Sequence, residues 1–116
     1  LDWEMATIGD PLMDLGSSLA YWVQKDDAEA SQSIRLMPTN IPGALTREEL
    51  VARYSEKSEI SIDNFDFYFC FGLFRLAVIA QQIYYRYYHG QTRDKRFKTL
   101  IFAVQNLEKT AIRVIT

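Results

Sequence analysis

The sequence predicts an all-α protein in which about four helices form a bundle-like unit after a short extended segment. Two observations lead to this prediction. Apolar residues recur at helical intervals over most of the 116 residues, and residues that favour helix starts stand in front of these stretches. The hydrophobic fraction of 48% and charged fraction of 24% are those of a globular domain. We therefore expect one helical unit over residues 1–116.

The first helix is predicted to start at Asp10 or Pro11 and to run to about Val23. Asp is a preferred N-cap, and Pro fits the first helical turn because its missing N–H would be unpaired there. Gly16 inside this helix costs about 1 kcal/mol against Ala, which indicates close packing against another backbone. Residues 1–8 are expected to be an extended strand end.

Residues 24–44 have the composition of a loop, with a short helix around residues 29–36. A loop of this length is usually functional or mobile. The next helix has the clearest start in the chain, because Thr46 and Glu49 have the spacing of a capping box, and it should end near Lys57.

The longest helix is predicted from about Asn64 to His89, with Ser61 or Asp63 as its cap. It is apolar nearly all round through Ile79, so we expect burial on most sides. Gly90 should end it, since Gly is the usual residue after a helix C-terminus. A last helix is predicted over residues 94–114.

Charge and composition argue against several classes of function. The net charge of −2 gives no general attraction to nucleic acid or to an anionic membrane. Charged and amide residues such as Arg75 and Arg86 interrupt the most apolar stretch, so no transmembrane helix is predicted. The single cysteine, Cys70, forms no internal disulfide, which favours a reducing, cytoplasmic location. One His and one Cys also make a zinc site or a Cys/His dyad improbable.

The residues most informative about function are the first fifteen, Leu1-Asp-Trp-Glu-Met-Ala-Thr-Ile-Gly-Asp-Pro-Leu-Met-Asp-Leu15. An apolar residue, Asp-Trp, a short linker and Gly-Asp-Pro-x-x-Asp-Leu resemble the metal-binding segment of aminoglycoside/choline-kinase-like phosphotransferases. The Asp-Trp-Glu form is most similar to the branch associated with acyl-CoA dehydrogenases. The helical order of the rest is compatible with the C-terminal helical subdomain of this protein-kinase-like fold.

The resemblance implies a role for three carboxylates. Asp2 matches the aspartate that holds Mg²⁺ against the phosphates of ATP, a task suited to hard carboxylate oxygen. Asp14 matches an aspartate that steadies the backbone of the catalytic loop. Asp10 caps the helix that contains Asp14. Glu4 stands where many relatives have a small residue, and no role follows for it. Taken singly, all three aspartates would be read as ordinary surface residues.

Other parts of the family's site are missing from the sequence. A catalytic loop of the form His-x-Asp-x-x-x-x-Asn is absent, and so is a nucleotide-binding lobe with its phosphate-covering glycines and lysine. We therefore expect the chain to be a fragment of a kinase that acts on a small-molecule hydroxyl group. By itself it should neither bind ATP tightly nor transfer phosphate. Apolar surface left by a missing lobe would favour a homodimer.

The aromatic residues between Phe65 and Tyr88 allow two interpretations. Core packing is favoured, because aromatic residues dominate core energetics. Alternatively, part of this helix, with Tyr68 and Arg75, lines the acceptor pocket. We favour an internal ion pair of Arg75 with Asp14 or Asp66 over a contact with an anionic substrate.

The acceptor remains open among aminoglycosides, choline, sugars, homoserine and hydroxyacyl-CoA, with a slight preference for the last from the Asp-Trp-Glu form. A free-standing helical interaction module without catalysis is the alternative function. It would be preferred if no catalytic loop and nucleotide lobe accompany this segment.

Overall fold

A computed structural model describes residues 3–116 of the chain, except for the side chain of Met5. Its five α-helices are α1 (Pro11–Ala20), α2 (Glu29–Ser33), α3 (Arg47–Ser58), α4 (Phe65–Tyr88) and α5 (Leu100–Ile115). Two 3-10 helices, Trp3–Met5 and Lys95–Thr99, precede α1 and α5. The described residues contain no strand. The all-α prediction is therefore confirmed.

The long helix α4 is the centre of the fold, with α1 packed on one side and α5 on another. The shared core consists of Leu19 from α1, Phe69 and Leu73 from α4, and Leu107 from α5. The short helix α2 packs against α5, and α3 adds Leu50 and Val51 to the margin of the core. The arrangement of the three main helices follows from the apolar stripes, since α1 and α5 turn theirs toward α4.

The contact between α1 and α4 brings two backbones together at Gly16 and Gly72. A Cβ atom on Gly16 would lie 2.2 Å from the carbonyl oxygen of Tyr68, and one on Gly72 would lie 2.2 Å from the carbonyl oxygen of Gly16. Such distances are far below van der Waals contact, so neither position admits a side chain without a shift of backbone. The close packing expected at Gly16 is confirmed.

Local capping agrees with the sequence at three helix ends. Asp10 Oδ1 accepts a hydrogen bond from the Leu12 N–H, and Thr46 forms a complete capping box with Glu49. Gly90, at φ 75°, follows α4 as predicted. The start of α4 agrees with the prediction to within one residue, but the predicted cap, Ser61 or Asp63, was wrong, because the N-cap is Asn64, in the left-handed conformation and without a side-chain hydrogen bond.

Two further boundaries differ from the prediction. The N-terminal segment was expected to be extended, whereas Trp3–Met5 forms a 3-10 turn. The last helix begins as the 3-10 segment Lys95–Thr99, with Asp94 accepting from the Arg96 N–H, and becomes α-helical only at Leu100. In both places the ends of helical patterns are decided by local hydrogen bonds that periodicity does not resolve.

The connection between α1 and α3 is held by a network of hydrogen bonds around Arg47. The guanidinium of Arg47 donates to both carboxylate oxygens of Asp27, at 2.7 and 2.8 Å, and to the Trp22 carbonyl at 2.8 Å. It also lies 5.1 Å from the centre of the Phe69 ring, within cation–π range. The Gln24 side chain accepts from the Arg47 N–H. The connection is therefore fastened to α3 and to α4.

A second set of hydrogen bonds closes this connection on itself. Gln32 donates through Nε2 to the carbonyl oxygens of Gln24, Lys25 and Asp27, and its Oε1 accepts from Asn40. The Trp22 indole donates to the Leu45 carbonyl at 2.9 Å. The composition of residues 24–44 predicted a loop that could be mobile. Hydrogen bonds from its polar side chains instead give this connection a defined conformation.

The expectation that α4 is buried on most sides is wrong. Phe67 is 62% exposed, Phe74 64% and Tyr88 71%. The reason is that α1 and α5 cover two sides of α4, and no other described element covers the remaining side. By length and composition, α4 is also able to cross a membrane, although no such helix was predicted. This is weak evidence, because a core helix of a soluble protein meets the same criteria.

Substituting Ala for Gly16 or Gly72 tests the backbone contact. Each change should destabilise the fold by about 1–3 kcal/mol, because overpacking outweighs the better helix propensity of Ala. Urea unfolding followed by circular dichroism measures the effect. Gly9→Ala is the matched control, since a Cβ there meets nothing within 4 Å. Equal stability of the Gly16→Ala variant and the Gly9→Ala control would contradict the close contact.

Asp27→Asn tests the Arg47 network. Burial alone would raise the pKa of Asp27, but hydrogen bonds from Arg47 and the Gln24 N–H, with the charge of Arg47, lower it below its ordinary 3.8. A lowered pKa gives stability that is present above that ordinary value and lost as the pH falls through the folded-state pKa. At neutral pH the variant should lose about 2 kcal/mol, since hydrogen bonds to charged groups contribute about 1.5–3 kcal/mol.

The readout is urea unfolding at neutral pH and at a series of pH values below about 4. The stability difference between wild type and Asp27→Asn should shrink as the pH falls. Asp63→Asn, at an exposed position, is the control and should show neither effect. A difference that stays constant with pH would mean that the Asp27 charge does not stabilise the fold.

Candidate functional site

The candidate site lies where the N-terminal segment enters α1 and meets the first turns of α4. Asp10 joins the two parts. Its Oδ1 atom accepts from the Leu12 N–H at 2.9 Å, and its Oδ2 atom accepts from the Tyr68 hydroxyl at 3.0 Å. One carboxylate therefore caps α1 and ties that cap to α4. The cap was predicted, whereas the hydrogen bond to Tyr68 was not.

The hydrogen bond to Asp10 also changes the chemistry of Tyr68. Because the phenol donates to a carboxylate, and because that carboxylate is negatively charged, the pKa of Tyr68 is raised above its ordinary 10.0. Tyr68 therefore keeps its proton at physiological pH and serves as a hydrogen-bond donor.

Asp14 lies in the first turn of α1, where a negative charge is favoured by the helix dipole. Its side chain is exposed, and among the described residues no hydrogen bond or ion pair engages its carboxylate. Its backbone carbonyl accepts from Ser18 Oγ at 3.0 Å. The carboxylate is thus open to a group approaching from outside the helices of this chain, and its supporting role stays a prediction.

Asp2, the predicted metal ligand, lies outside the described residues. Within the described part of the chain, no group of three or more His, Cys, Asp or Glu side chains could hold a metal ion. A Mg²⁺ site of the kinase type needs only one or two protein carboxylates beside phosphate and water oxygens. A single carboxylate such as that of Asp2 is chemically suited to such a Mg²⁺ site. Asp2 is the one ligand predicted for it in this segment.

Two hydrophobic residues of the segment before α1 are open to solvent. Trp3 is 82% exposed and Ile8 102% exposed. Of the described residues in the N-terminal segment, Asp10 is the one whose side chain forms a hydrogen bond with a side chain of α4. The segment before α1 is thus held at its α1 end, and two of its described apolar side chains, Trp3 and Ile8, face solvent.

The internal ion pair favoured for Arg75 is wrong. Arg75 is exposed, and the ion pairs among the described residues are Arg47–Asp27 and Arg96–Asp94. An exposed guanidinium is hydrated by water and needs no acidic partner. Arg75 and Tyr68 lie two helical turns apart on the same face of α4, about 10 Å along its axis. Their place in an acceptor pocket stays a prediction.

The Arg47–Asp27 pair, beside the core, was not predicted. Sequence spacing does not reveal an ion pair between two residues that belong to different elements. Arg47 also follows the capping residue Thr46, so its position is explained as the first residue of α3. The only hint of this ion pair in the sequence is the concentration of polar residues from Gln24 to Asp27. That pattern does not indicate Arg47 as the partner of Asp27.

Comparison with known proteins agrees with the resemblance found at the N-terminus. Residues 1–47 match the model of the phosphotransferase enzyme family. The matched region contains the Asp-Trp segment, α1, α2 and the connection up to the start of α3. The resemblance to this phosphotransferase family, inferred from the motif, is therefore confirmed for the N-terminal part of the chain.

Two relatives indicate which branch of these proteins the chain resembles. The chain is 38% identical over 93 residues to acyl-CoA dehydrogenase family member 10 of Mus musculus, covering 78% of the chain and 9% of the relative. It is 32% identical over 117 residues to acyl-CoA dehydrogenase family member 11 of Homo sapiens, covering 98% of the chain and 15% of the relative. The resemblance to this branch is therefore confirmed. No solved structure matches the chain.

Asp10→Asn tests the link between the motif segment and α4. Removing the negative charge should lower the pKa of Tyr68 toward its ordinary 10.0, because the charge of Asp10 holds the phenol in its protonated form. The measurement is an NMR titration of ¹³C-labelled tyrosine rings, with Tyr68→Phe used to assign the signal. Asp14→Asn is the control and should leave the titration unchanged. An unaltered Tyr68 pKa in Asp10→Asn would disprove the contact.

Proposed function

We propose that this chain supplies the helical part of an ATP-dependent kinase that phosphorylates a hydroxyl group of a small molecule. The observation that carries the proposal is the motif of residues 1–15, together with the family match over residues 1–47. In such a reaction the acceptor hydroxyl attacks the γ-phosphorus of ATP, its proton passes to a catalytic-loop aspartate, and ADP leaves. The loop with that aspartate is not in this sequence.

Asp2 would hold Mg²⁺ against the nucleotide phosphates, and the ion would neutralise charge that develops during transfer. The contribution of the described residues is to hold the end of that segment in place. Asp10 fastens it through Tyr68, and the contact of Gly16 with α4 keeps α1 from shifting. Placement of this kind matters because an error of about 1 Å costs roughly a hundredfold in rate.

Asp14 is proposed as a positioning residue for the catalytic loop. Its open carboxylate at the first turn of α1 supports this role, since it can accept hydrogen bonds from backbone N–H groups of a neighbouring loop. The exposed Trp3 and Ile8 support it too, because apolar side chains of this size are usually covered in a complete site.

The acceptor would lie along the exposed face of α4 that carries Tyr68 and Arg75. Tyr68 would donate a hydrogen bond, and Arg75 would neutralise an anionic group of the acceptor. The slight preference for a hydroxyacyl acceptor rests on the Asp-Trp-Glu form of the motif. The chain spans about 9–15% of the length of the curated relatives that it matches, so activity and substrate are proposals for a whole protein.

The alternative function is a helical interaction module without catalysis. The observation in its favour is the exposed apolar side of α4, since contiguous exposed apolar residues often mark an interaction site. The two functions differ in their dependence on Asp2. A kinase loses phosphate transfer when Asp2 is changed, whereas an interaction module keeps its partner.

The kinase proposal is tested on the product of the complete reading frame that encodes this chain. Purified protein is incubated with Mg²⁺, γ-labelled ATP and a panel of hydroxyl acceptors that includes hydroxyacyl-CoA, choline and aminoglycosides. Transfer should occur with at least one acceptor, and Asp2→Asn should lower kcat by about a hundredfold or more, as for loss of a major charge-stabilising group. The 116-residue chain alone should transfer nothing.

Two controls make the result interpretable. Glu4→Gln changes a neighbouring carboxylate with no assigned role and should keep full activity. Asp14→Asn should lower kcat with little change in the KM for ATP, as expected for a positioning residue. Phosphate transfer that survives in Asp2→Asn would rule out the metal-ligand role, and a complete product without any transfer would favour the interaction module.

A further inference from the structure

Tyr68 joins the N-terminal segment to α4 through its hydroxyl, so the orientation of its ring matters to the candidate site. The hydroxyl donates to Asp10 Oδ2 at 3.0 Å, and this hydrogen bond lies at the surface. Water competes for a bond of this kind, which keeps its net contribution small. The bond is therefore formed for most of the time only if the Tyr68 ring is already held in the right orientation.

The usual supports of a helical side chain are weak around Tyr68. Side chains of an α-helix lean toward its N-terminus, so a ring is held mainly by residues three and four positions away. Four positions after Tyr68 stands Gly72, whose lack of a side chain lets the α1 backbone approach. Four positions before it stands Asn64, the N-cap of α4, which is exposed and in the left-handed conformation. Neither residue offers an apolar surface to the ring.

Support for the Tyr68 ring comes from the residue directly before it. The ring of Phe67 meets that of Tyr68 edge-on, with 5.3 Å between the ring centres and 81° between their planes. Edge-to-face geometry is one of the favourable arrangements of two aromatic rings. Among the described residues, no other ring makes such a contact with Tyr68. Phe65, three positions earlier, packs instead against Phe69, which belongs to the core.

Core packing does not account for Phe67. Its side chain is 62% exposed, and it is not among the described hydrophobic residues that pack against the core cluster. An open depression of about 750 Å³ lies at the start of α4, lined by Phe67 and Tyr68 together with residues 63–66. Without the Phe67 ring, the Tyr68 ring would have this space to turn into, and its hydroxyl would leave Asp10.

We propose that Phe67 is a positioning residue of the candidate site, because its ring keeps that of Tyr68 turned toward Asp10. Through this hydrogen bond it helps to hold the end of the motif segment on α4. One edge-to-face pair shifts the balance between a held and a free ring by about two- to tenfold. The effect of Phe67 on phosphate transfer rests on the proposed function, whereas the ring contact itself stands on the geometry of the described residues.

The first test follows Tyr68 in the 116-residue chain by NMR titration of ¹³C-labelled tyrosine rings. Phe67→Ala should bring the pKa of Tyr68 toward its ordinary 10.0, because a ring that leaves Asp10 loses the hydrogen bond and the nearby charge that raise this pKa. Phe67→Trp keeps an aromatic edge and should keep the raised pKa. An unchanged Tyr68 pKa in Phe67→Ala overturns the proposal.

Phe74→Ala is the matched control for this titration. Phe74 is 64% exposed, close to the value for Phe67, and within the described part of the chain no aromatic contact joins it to Tyr68. The change should leave the Tyr68 titration as it is in wild type. Urea unfolding of both variants separates positioning from stability, since a merely structural role of Phe67 would lower stability without moving the Tyr68 pKa. A shift of equal size in Phe74→Ala would contradict a specific role of Phe67.

The second test measures phosphate transfer by the product of the complete reading frame. Phe67→Ala should lower kcat by about two- to tenfold with little change in the KM for ATP, as expected for a positioning residue. In a Tyr68→Phe background the same change should have no further effect, because the hydroxyl that Phe67 positions is already gone. Additive losses would overturn the proposed route through Tyr68. A product without any transfer would refute the proposed function, and the Tyr68 titration would still decide the role of Phe67.

Discussion

The contact of Gly16 with the backbone of α4 is the constraint on which the rest of this structure depends. It draws α1 so close that the Tyr68 hydroxyl reaches Asp10, and it sets the plane in which Leu19 meets Phe69 and Leu73. Backbones pack this tightly only where both helices lack a side chain, so a pair of glycines determines the orientation of a helix rich in large residues. The packing of α1 on α4 therefore determines where the motif segment lies.

A second constraint joins the long connection to the same helix. Arg47 stands at the start of α3, yet its guanidinium serves Asp27, the Trp22 carbonyl and the ring of Phe69. Partly buried charged groups are costly unless they are paired, and pairing them draws together segments distant in sequence. The connection is therefore part of the fold, and its polar composition reflects internal hydrogen bonds more than mobility.

Two neighbouring sides of α4 have different surroundings. The side toward α1 receives the motif segment through the hydrogen bond between Tyr68 and Asp10. The adjoining side is uncovered, and it includes Phe67, whose ring packs edge-on against Tyr68 with 5.3 Å between the ring centres. A change on the uncovered side can therefore reach the candidate site through this ring contact.

The sequence by itself determined the helical class, the capping box at Thr46, the cap at Asp10 and the end of α4 at Gly90, because these depend on residues within a few positions of one another. The fifteen-residue motif was also enough to recognise the family. Tertiary structure alone decided that Tyr68 bonds Asp10, that Arg47 pairs with Asp27 and that Arg75 remains in solvent. It also left one side of α4 uncovered. These outcomes depend on which elements are in contact in the folded chain. Hydrophobic periodicity indicates that one face of a helix is apolar, but it does not indicate which element packs on that face.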